Sequence, residues 1–489
     1  MLGRRSIIQN PATQGMGLLT GGRGSTRALR RFHIRPSLLL RLATLGLTLL
    51  SLRMVASSGQ FMDRLAGASD AASGRPHTLP VATQLVDDSQ ATERAMHFTE
   101  DRLRSDPEDA GAYGRLAGYH LQRLRETGNV QYLERALGAA HSSLDNVPEV
   151  RNIGGLTALA QAEYAGHQFM AARDDAARLV ELDPDKALPY GILGDASVEL
   201  GQYEQAAEAF RQMGVRTGGV ATETRLARFA SLHGQTDVAQ QRLFTGIALA
   251  LHASEPSRET VAWCRWQYGE TAFAKGDYQL AEQQYRDALT TFPGYVYALA
   301  SLGRVRAAQG DLGGAIQQYE DAVTRLPDPT FVAALGDLYA LAGRDDDAAQ
   351  QYALVETIGH LSALNGMLYN RQLALFHADH ALQTQEAYAD ALREYVERRD
   401  IYGADALAWT ALKAGKIAEA QSEIQEAMRL GTQDAKLFYH AGMIARAAGD
   451  EATSRTYLER ALTLNPQFDP FQALRARHAL EDASYAARG

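Results

Sequence analysis

Along most of this chain the order of apolar, small and polar positions returns every 33 or 34 residues. Gly269, Gly303 and Gly336 mark the period, and seven residues after each stands a second glycine, Gly276, Gly310 and Gly343. An alanine follows five positions later (Ala281, Ala315, Ala348), and a tyrosine four beyond that (Tyr285, Tyr319, Tyr352). Pro293 and Pro327 close two of the units. Alanine is abundant and β-branched runs are rare, so each unit predicts two helices and leaves no home for a sheet. One hairpin cannot bury its own apolar face, and a fixed period of this length therefore predicts a stacked array of helical hairpins.

Each recurring residue has a physical task in that reading. The first glycine and the alanine are expected to face each other where the two helices cross, because only small residues let backbones approach. The tyrosines fill the space toward the neighbouring hairpin. The second glycine, followed by Gln or Asp and Tyr (Gly201-Gln202-Tyr203, Gly276-Asp277-Tyr278), ends one helix in a left-handed turn and starts the next. Proline stops the second helix, since it lacks a donor and crowds the preceding turn.

These residues resemble the tetratricopeptide repeat (TPR) family, whose signature sets a large residue at about position 4, Leu-Gly at 7–8, Ala at 20, an aromatic at 24, Ala at 27 and Pro at 32. With Gly303 at position 8, the matching residues are Leu299, Leu302, Gly303, Gly310, Ala315, Tyr319, Ala322 and Pro327. With Gly269 at position 8 they are Tyr268, Gly276, Ala281, Tyr285, Ala288 and Pro293. The unit around Gly194 adds Tyr190, Leu193, Gly201, Ala206 and Phe210, and that around Gly442 adds Leu458, Ala461 and Pro466, with Ser454 in place of alanine. The segments 402–420 and 437–474 are also similar to bacterial TPR proteins without an assigned role. The resemblance implies an all-α, right-handed superhelical solenoid of about ten units, spanning residues 87–468. Weaker units start near Ala110, Ile153, Val220 and Ile401. The first is lengthened around Arg125–Asn129, and residues 356–400 read as a divergent repeat in preference to a helical break between the main array and the C-terminal pair. Residues 469–489 supply a capping helix and tail.

Charge divides the chain. Residues 1–62 carry nine arginines and no acid, leaving 40 basic against 58 acidic residues beyond them, a formal −18. Such an array is not expected to bind nucleic acid by neutralising phosphates. Within the first 56 residues an arginine-rich stretch precedes the apolar run Leu42–Leu52 and the small residues Val55–Gly59. That is the order of an export signal or a signal-anchor; a mitochondrial transit segment and a cytoplasmic basic tail are the competing readings. An anchor would place the array on the extracytoplasmic side, with residues 57–86, rich in Ser, Ala, Gly and Pro, as a linker. Membrane contact is expected only through this N-terminal segment.

Catalytic signatures are absent: the sequence holds no P-loop, GxSxG, HExxH or EF-hand loop. Cys264 is the only cysteine, which excludes an intrachain disulfide, and a buried thiol within a helix is the expectation. His377 and His380 could begin a metal site but have no assignable third ligand, and no cofactor is expected. Asp345–Asp347 read as favourable charges at a helix start. The resemblance implies a concave groove lined by the first helix of each unit. Carried over position by position, it assigns Trp263, Trp266, Glu270 and Phe273, then Tyr297 and Arg304, then Asp337, and finally Lys436, Tyr439 and His440. The family's carboxylate clamp is missing, because Trp266/Glu270, Ala300/Arg304 and Ala333/Asp337 occupy its positions. So is its asparagine ladder, whose position holds Ile192, Gln267, Ser301, Ala334 and His440. The expected function is a non-catalytic scaffold taking an extended peptide or helix of a partner protein. A self-associating scaffold and an enzyme sited in residues 356–400 are the alternatives.

Overall fold

The computed structural model describes residues 88–254, 256–364 and 370–486, which fall within one compact unit, Ser58–Gly489. The N-terminal segment 1–56, the linker 57–86 and the last three residues lie outside the described residues. Twenty-two α-helices and no strand are found among the described residues. Helix α1 (Asp88–Ser105) leads into ten antiparallel hairpins. They are α2 (Ala110–Thr127) with α3 (Gln131–Asn146), α4 (Ile153–Ala165) with α5 (Phe169–Leu182), and α6 (Ala187–Glu199) with α7 (Tyr203–Arg216). Next come α8 (Val220–Leu232) with α9 (Thr236–Leu251), α10 (Arg258–Ala274) with α11 (Tyr278–Thr291), and α12 (Val296–Ala308) with α13 (Leu312–Arg325). The last four are α14 (Pro329–Leu341) with α15 (Asp345–Leu364), α16 (Asn370–Asp379) with α17 (Thr384–Glu397), α18 (Ile401–Lys413) with α19 (Ile417–Met428), and α20 (Ala435–Ala447) with α21 (Glu451–Leu464). Helix α22 (Pro470–Ala486) packs on the last hairpin. The irregular stretch 356–400 thus holds the end of α15 and a complete hairpin. The lengthening near residue 125 is taken up by extra turns of α2, which ends on Gly128 in the left-handed region (φ 68°).

Helix boundaries follow local chemistry. The Asp277, Asp311 and Asp450 side chains accept the backbone N–H groups of Leu280, Gly314 and Thr453, capping α11, α13 and α21. Gly276, Gly310 and Gly449 adopt φ of 75°, 85° and 82° at the turns before them. Pro329 sits in the first turn of α14 behind the capping Asp328.

The crossing within each hairpin differs from the expectation in one respect. A Cβ placed on Gly269 would lie 2.5 Å from the Tyr285 ring, on Gly303 2.7 Å from the Tyr319 ring and on Gly336 2.6 Å from the Tyr352 ring. Gly194 meets Phe210 in the same way at 2.4 Å, and Gly442 meets Leu458 at 2.8 Å. The glycine therefore makes room for the large residue of its own hairpin's second helix, more than for the alanine. The ring packs against bare backbone, and the alanines Ala281 and Ala315 are fully buried. Gly303→Ala gains helix propensity of roughly 1 kcal/mol but forces a sub-van-der-Waals contact costing about 1–3 kcal/mol. Its melting temperature, followed by far-UV circular dichroism, should fall; a rise would show that the ring is free to move away.

The array also returns on itself. Turns inside hairpins line one edge of the stack and loops between hairpins line the other, and the two edges meet about 200 residues apart in sequence. The Ile401 backbone N–H donates to the Tyr203 hydroxyl at 2.9 Å across 198 residues. The Thr432 hydroxyl donates to the Leu232 carbonyl across 200. The Asn465 side-chain amide donates to the Phe273 carbonyl at 2.7 Å across 192, and the Tyr278 hydroxyl donates back to Asn465 at 2.5 Å. Ile401 is buried among Val198, Tyr203, Leu226 and Phe229. Glycines permit this approach: a Cβ on Gly201 would stand 2.3 Å from the Arg399 carbonyl oxygen, and one on Gly234 2.4 Å from that of Gly431. Gly310, with the same kind of φ, has nothing within 4 Å. Gly310→Ala is expected to cost about 1 kcal/mol from backbone strain alone. Gly201→Ala should cost at least about 2 kcal/mol more and expose the Ile401 amide to hydrogen exchange. Equal losses for the two variants would mean that the docked edges do not hold.

Candidate functional site

Helix α10 occupies the middle of the array and offers a tryptophan to each of two recesses. Both indoles are part-buried, packed on one side against the Tyr285–Tyr295 core. Trp263 borders a cavity of ≈ 600 Å³ lined by the first helices of five successive hairpins, α2, α4, α6, α8 and α10. Leu121, Tyr164 and Ile192 supply apolar surface there. Arg125, Arg225 and Arg228 supply charge, against Asp195 alone among the acids of the lining. Arg225 donates to Asp195 at 2.7 Å. Arg228 donates to Glu199 and, at 3.2 Å, to the Tyr164 hydroxyl. The nearest carboxylate to Arg125 is Glu259, at 4.0 Å.

Trp266 borders the second cavity, of ≈ 340 Å³, together with Glu270, Tyr297, Arg304 and Asp337. Its far wall is Lys436 and the loop residues Gln467–Pro470, so the cavity exists only because the array returns on itself. Trp266 donates its indole N–H to the Ser301 hydroxyl at 2.9 Å. Glu270 is a hub, accepting from the Tyr285 hydroxyl at 2.6 Å, Ser301 at 2.8 Å and Arg304 at 2.6 Å. Burial pushes its carboxyl up, but the Arg304 charge and these donors outweigh that and hold it below the usual range. Asp337 accepts from the Tyr352 hydroxyl at 2.9 Å and pairs with His380 at 2.8 Å. Lys436 reaches Asp379 at 3.3 Å, a carboxylate that also accepts from Trp409 and Gln472.

The tetratricopeptide repeat family model matches residues 157–213, 268–329, 302–359 and 406–468. The chain belongs to the tetratricopeptide repeat family. No protein of curated function matches its sequence. Among solved structures, it is similar to the human IFIT1 dimer with PPP-AAAA at 15% identity, covering 78% of this chain and 96% of that one, with a TM-score of 0.42. It is similar to PilW, a widely conserved type IV pilus biogenesis factor, at 17% identity over 42% of this chain and 92% of that one, with a TM-score of 0.37. A tetratricopeptide repeat protein from Parabacteroides merdae aligns at 15% identity over 54% of this chain and 98% of that one, with a TM-score of 0.30. Likenesses of this size carry no argument about what the chain binds.

Within this TPR array the groove positions expected from sequence divide into three groups. Trp266, Glu270, Tyr297, Arg304, Asp337 and Lys436 come together around the second cavity, although the charges of Glu270, Arg304 and Lys436 are taken up by partners within the array. Trp263 lies apart, in the first cavity. Phe273, Tyr439 and His440 are not groove residues: each is buried, with 5%, 1% and no exposure, respectively. Phe273 is covered by the Arg304 guanidinium, 4.1 Å from its ring centre. Tyr439 packs on Trp409 and Phe468. His440 stacks on Trp409 at 4.1 Å and pairs with Asp405 at 2.8 Å. The returning C-terminal hairpins and α22 cover what an open groove would expose.

Sequence reasoning missed Arg225 and Arg228, because their helix α8 belongs to a weak unit with Ala227 in place of the first marker glycine. It also missed Phe468 and Asp469, which lie in a loop that only the return of the array brings to the site. His377 and His380 do not converge: the first pairs with Glu356 at 2.7 Å and the second with Asp337. Among the described residues no group of three or more His, Cys, Asp or Glu side chains could hold a metal ion. The Cys264 thiol is buried, which pushes it up to about 12. No described helix is long and apolar enough to cross a membrane.

Glu199 ties the first cavity to the returning half. It accepts from Arg228 of α8 and lies 2.6 Å from Arg398, 199 residues further on in sequence. Burial raises its carboxyl, but the two guanidiniums prevail and bring it from 4.5 down to about 2. A depressed carboxylate stabilises the fold fully above pH 4.5, and that contribution fades as pH falls toward 2. Glu199→Gln should cost about 2–3 kcal/mol at neutral pH, less than a fully buried pair because both arginines keep contact with water. It should also flatten the acid limb of the stability curve measured by denaturant titration; an unchanged limb would remove Glu199 from that role.

Proposed function

We propose that this TPR array is a non-catalytic scaffold that holds an extended segment or helix of a partner protein in the cavity bordered by Trp263. The observation that supports this reading is the convergence of five successive first helices on one concave recess. That recess joins apolar and aromatic surface to guanidiniums that remain partly exposed, with side-chain exposures of 54% at Arg125 and 43% at Arg228. Aromatic and arginine side chains in a part-desolvated recess are the groups that anchor protein interfaces. A peptide suits it better than a nucleic acid, since three arginines close to carboxylates offer little phosphate neutralisation within an acidic array.

The proposal also places the array at the cell envelope on the extracytoplasmic side. That part rests on the order of the N-terminal residues alone: arginines, an apolar run, then small residues. Intact mass of the mature protein in separated cell fractions tests it. A full-length mass in the membrane fraction, or a mass starting near Ser57 in an extracytoplasmic fraction, agrees; a full-length soluble cytoplasmic chain overturns the location.

A photo-crosslinking residue at Gln267, which lines the same recess, tests the partner site. It should trap a defined protein in cells, whereas the same group at the exposed Gln205 of α7 should not. Trp263→Ala should weaken capture by about thirtyfold, in line with loss of an aromatic anchor, with helicity unchanged. Capture that survives this substitution, or crosslinks only to nucleic acid, would overturn the reading.

A further inference from the structure

The second cavity has a chemistry of its own. Trp266, Tyr297 and Phe331, from α10, α12 and α14, wall one side, and Phe468 of the returning loop walls the other. The Trp266 and Tyr297 ring centres are 5.2 Å apart, and those of Tyr297 and Phe331 6.0 Å. Both cations in the lining are engaged: Arg304 with Glu270 at 2.6 Å, and Lys436 with Asp379 at 3.3 Å. Two carboxylates in the lining have no lysine or arginine partner. Asp337 accepts from Tyr352 and pairs with His380. Asp469 accepts the backbone N–H groups of Phe471 and Gln472, at 3.0 and 2.8 Å, at the start of α22. Neither is within ion-pair distance of a lysine or arginine among the described residues. Burial raises the Asp469 carboxyl, with the Lys436 charge offsetting it only in part, so a further positive charge beside it would be welcome.

We propose that this cavity binds an organic cation on an apolar stem, the guanidinium or ammonium of an arginine or lysine side chain. The rings take the stem and the face of the cation, and Asp337 and Asp469 take its charge. A volume of ≈ 340 Å³ admits one such side chain and not a helix. The site is separate from the recess at Trp263, so either can fail without the other. It depends on the return of the array, because Phe468, Asp469 and Lys436 all come from the second half of the chain.

Isothermal titration calorimetry on the full-length protein tests it with butylguanidinium, against 1-pentanol and pentanoate as neutral and anionic counterparts. Butylguanidinium should bind with one-to-one stoichiometry, pentanol at least about tenfold more weakly, and pentanoate not at all. Asp469→Asn removes the charge and keeps a good helix cap; it should weaken butylguanidinium by about fivefold or more without shifting the melting temperature. Asp337→Asn, which retains an acceptor for Tyr352, provides a second variant with the same expectation. Equal binding of pentanol, no binding of butylguanidinium, or indifference to both asparagine variants would overturn the proposal. N-acetylarginine amide distinguishes the sources of the cation: tighter binding than butylguanidinium indicates a protein side chain, and weaker binding a free amine.

Discussion

The contact on which this protein depends is a ring laid on a glycine. In hairpin after hairpin, the aromatic of the second helix rests where the first helix has no side chain, as Tyr285 does on Gly269 and Tyr319 on Gly303. This sets how closely the two helices approach, and close packing turns a small change there into strain rather than slack. Because nearly the same contact recurs every 33 or 34 residues, each hairpin meets the next in nearly the same way. A small rotation repeated from unit to unit becomes curvature of the whole stack.

Curvature then creates long-range structure that no single repeat contains. Loops near residues 400, 431 and 465 dock on the turns at Gly201, Gly234 and Gly276, each spaced by roughly the same length of chain. Repeat arrays are usually held by neighbour contacts alone; here hydrogen bonds across about 200 residues, and the pairing of Glu199 with Arg398, couple the two halves. The same docking divides the inner surface. The recess at Trp263 belongs to the first half, whereas the cavity at Trp266 is shared between the halves.

Charge on the inner surface follows from this arrangement. Adjacent first helices bring Glu270 to Arg304, Asp195 to Arg225 and Asp405 to His440. These pairs neutralise one another before any partner arrives, so the ionic character of the groove is far weaker than its residue types suggest. What remains to a ligand is Arg125 and the exposed part of Arg228 at the Trp263 recess, and at the other cavity the carboxylates Asp337 and Asp469, which no lysine or arginine meets among the described residues.

Much of this was legible from residue order. Glycine and alanine spacing, the capping aspartates and the prolines act within one hairpin, over distances a local pattern can encode, and they determined the helices, their ends, the number of units and the repeat family. Even the irregular stretch 356–400 kept enough helical periodicity to be read as a repeat. The inner surface was legible only in part. Trp266, Tyr297 and Asp337 were found from their register, but Phe273, Tyr439 and His440 share that register and are buried. Register tells which way a side chain points and says nothing of what lies opposite. What lies opposite is decided by the return of the array, which sums small rotations over about six units. Only the tertiary structure carries that sum, and with it the docked edges, the shared cavity and the place of Asp469.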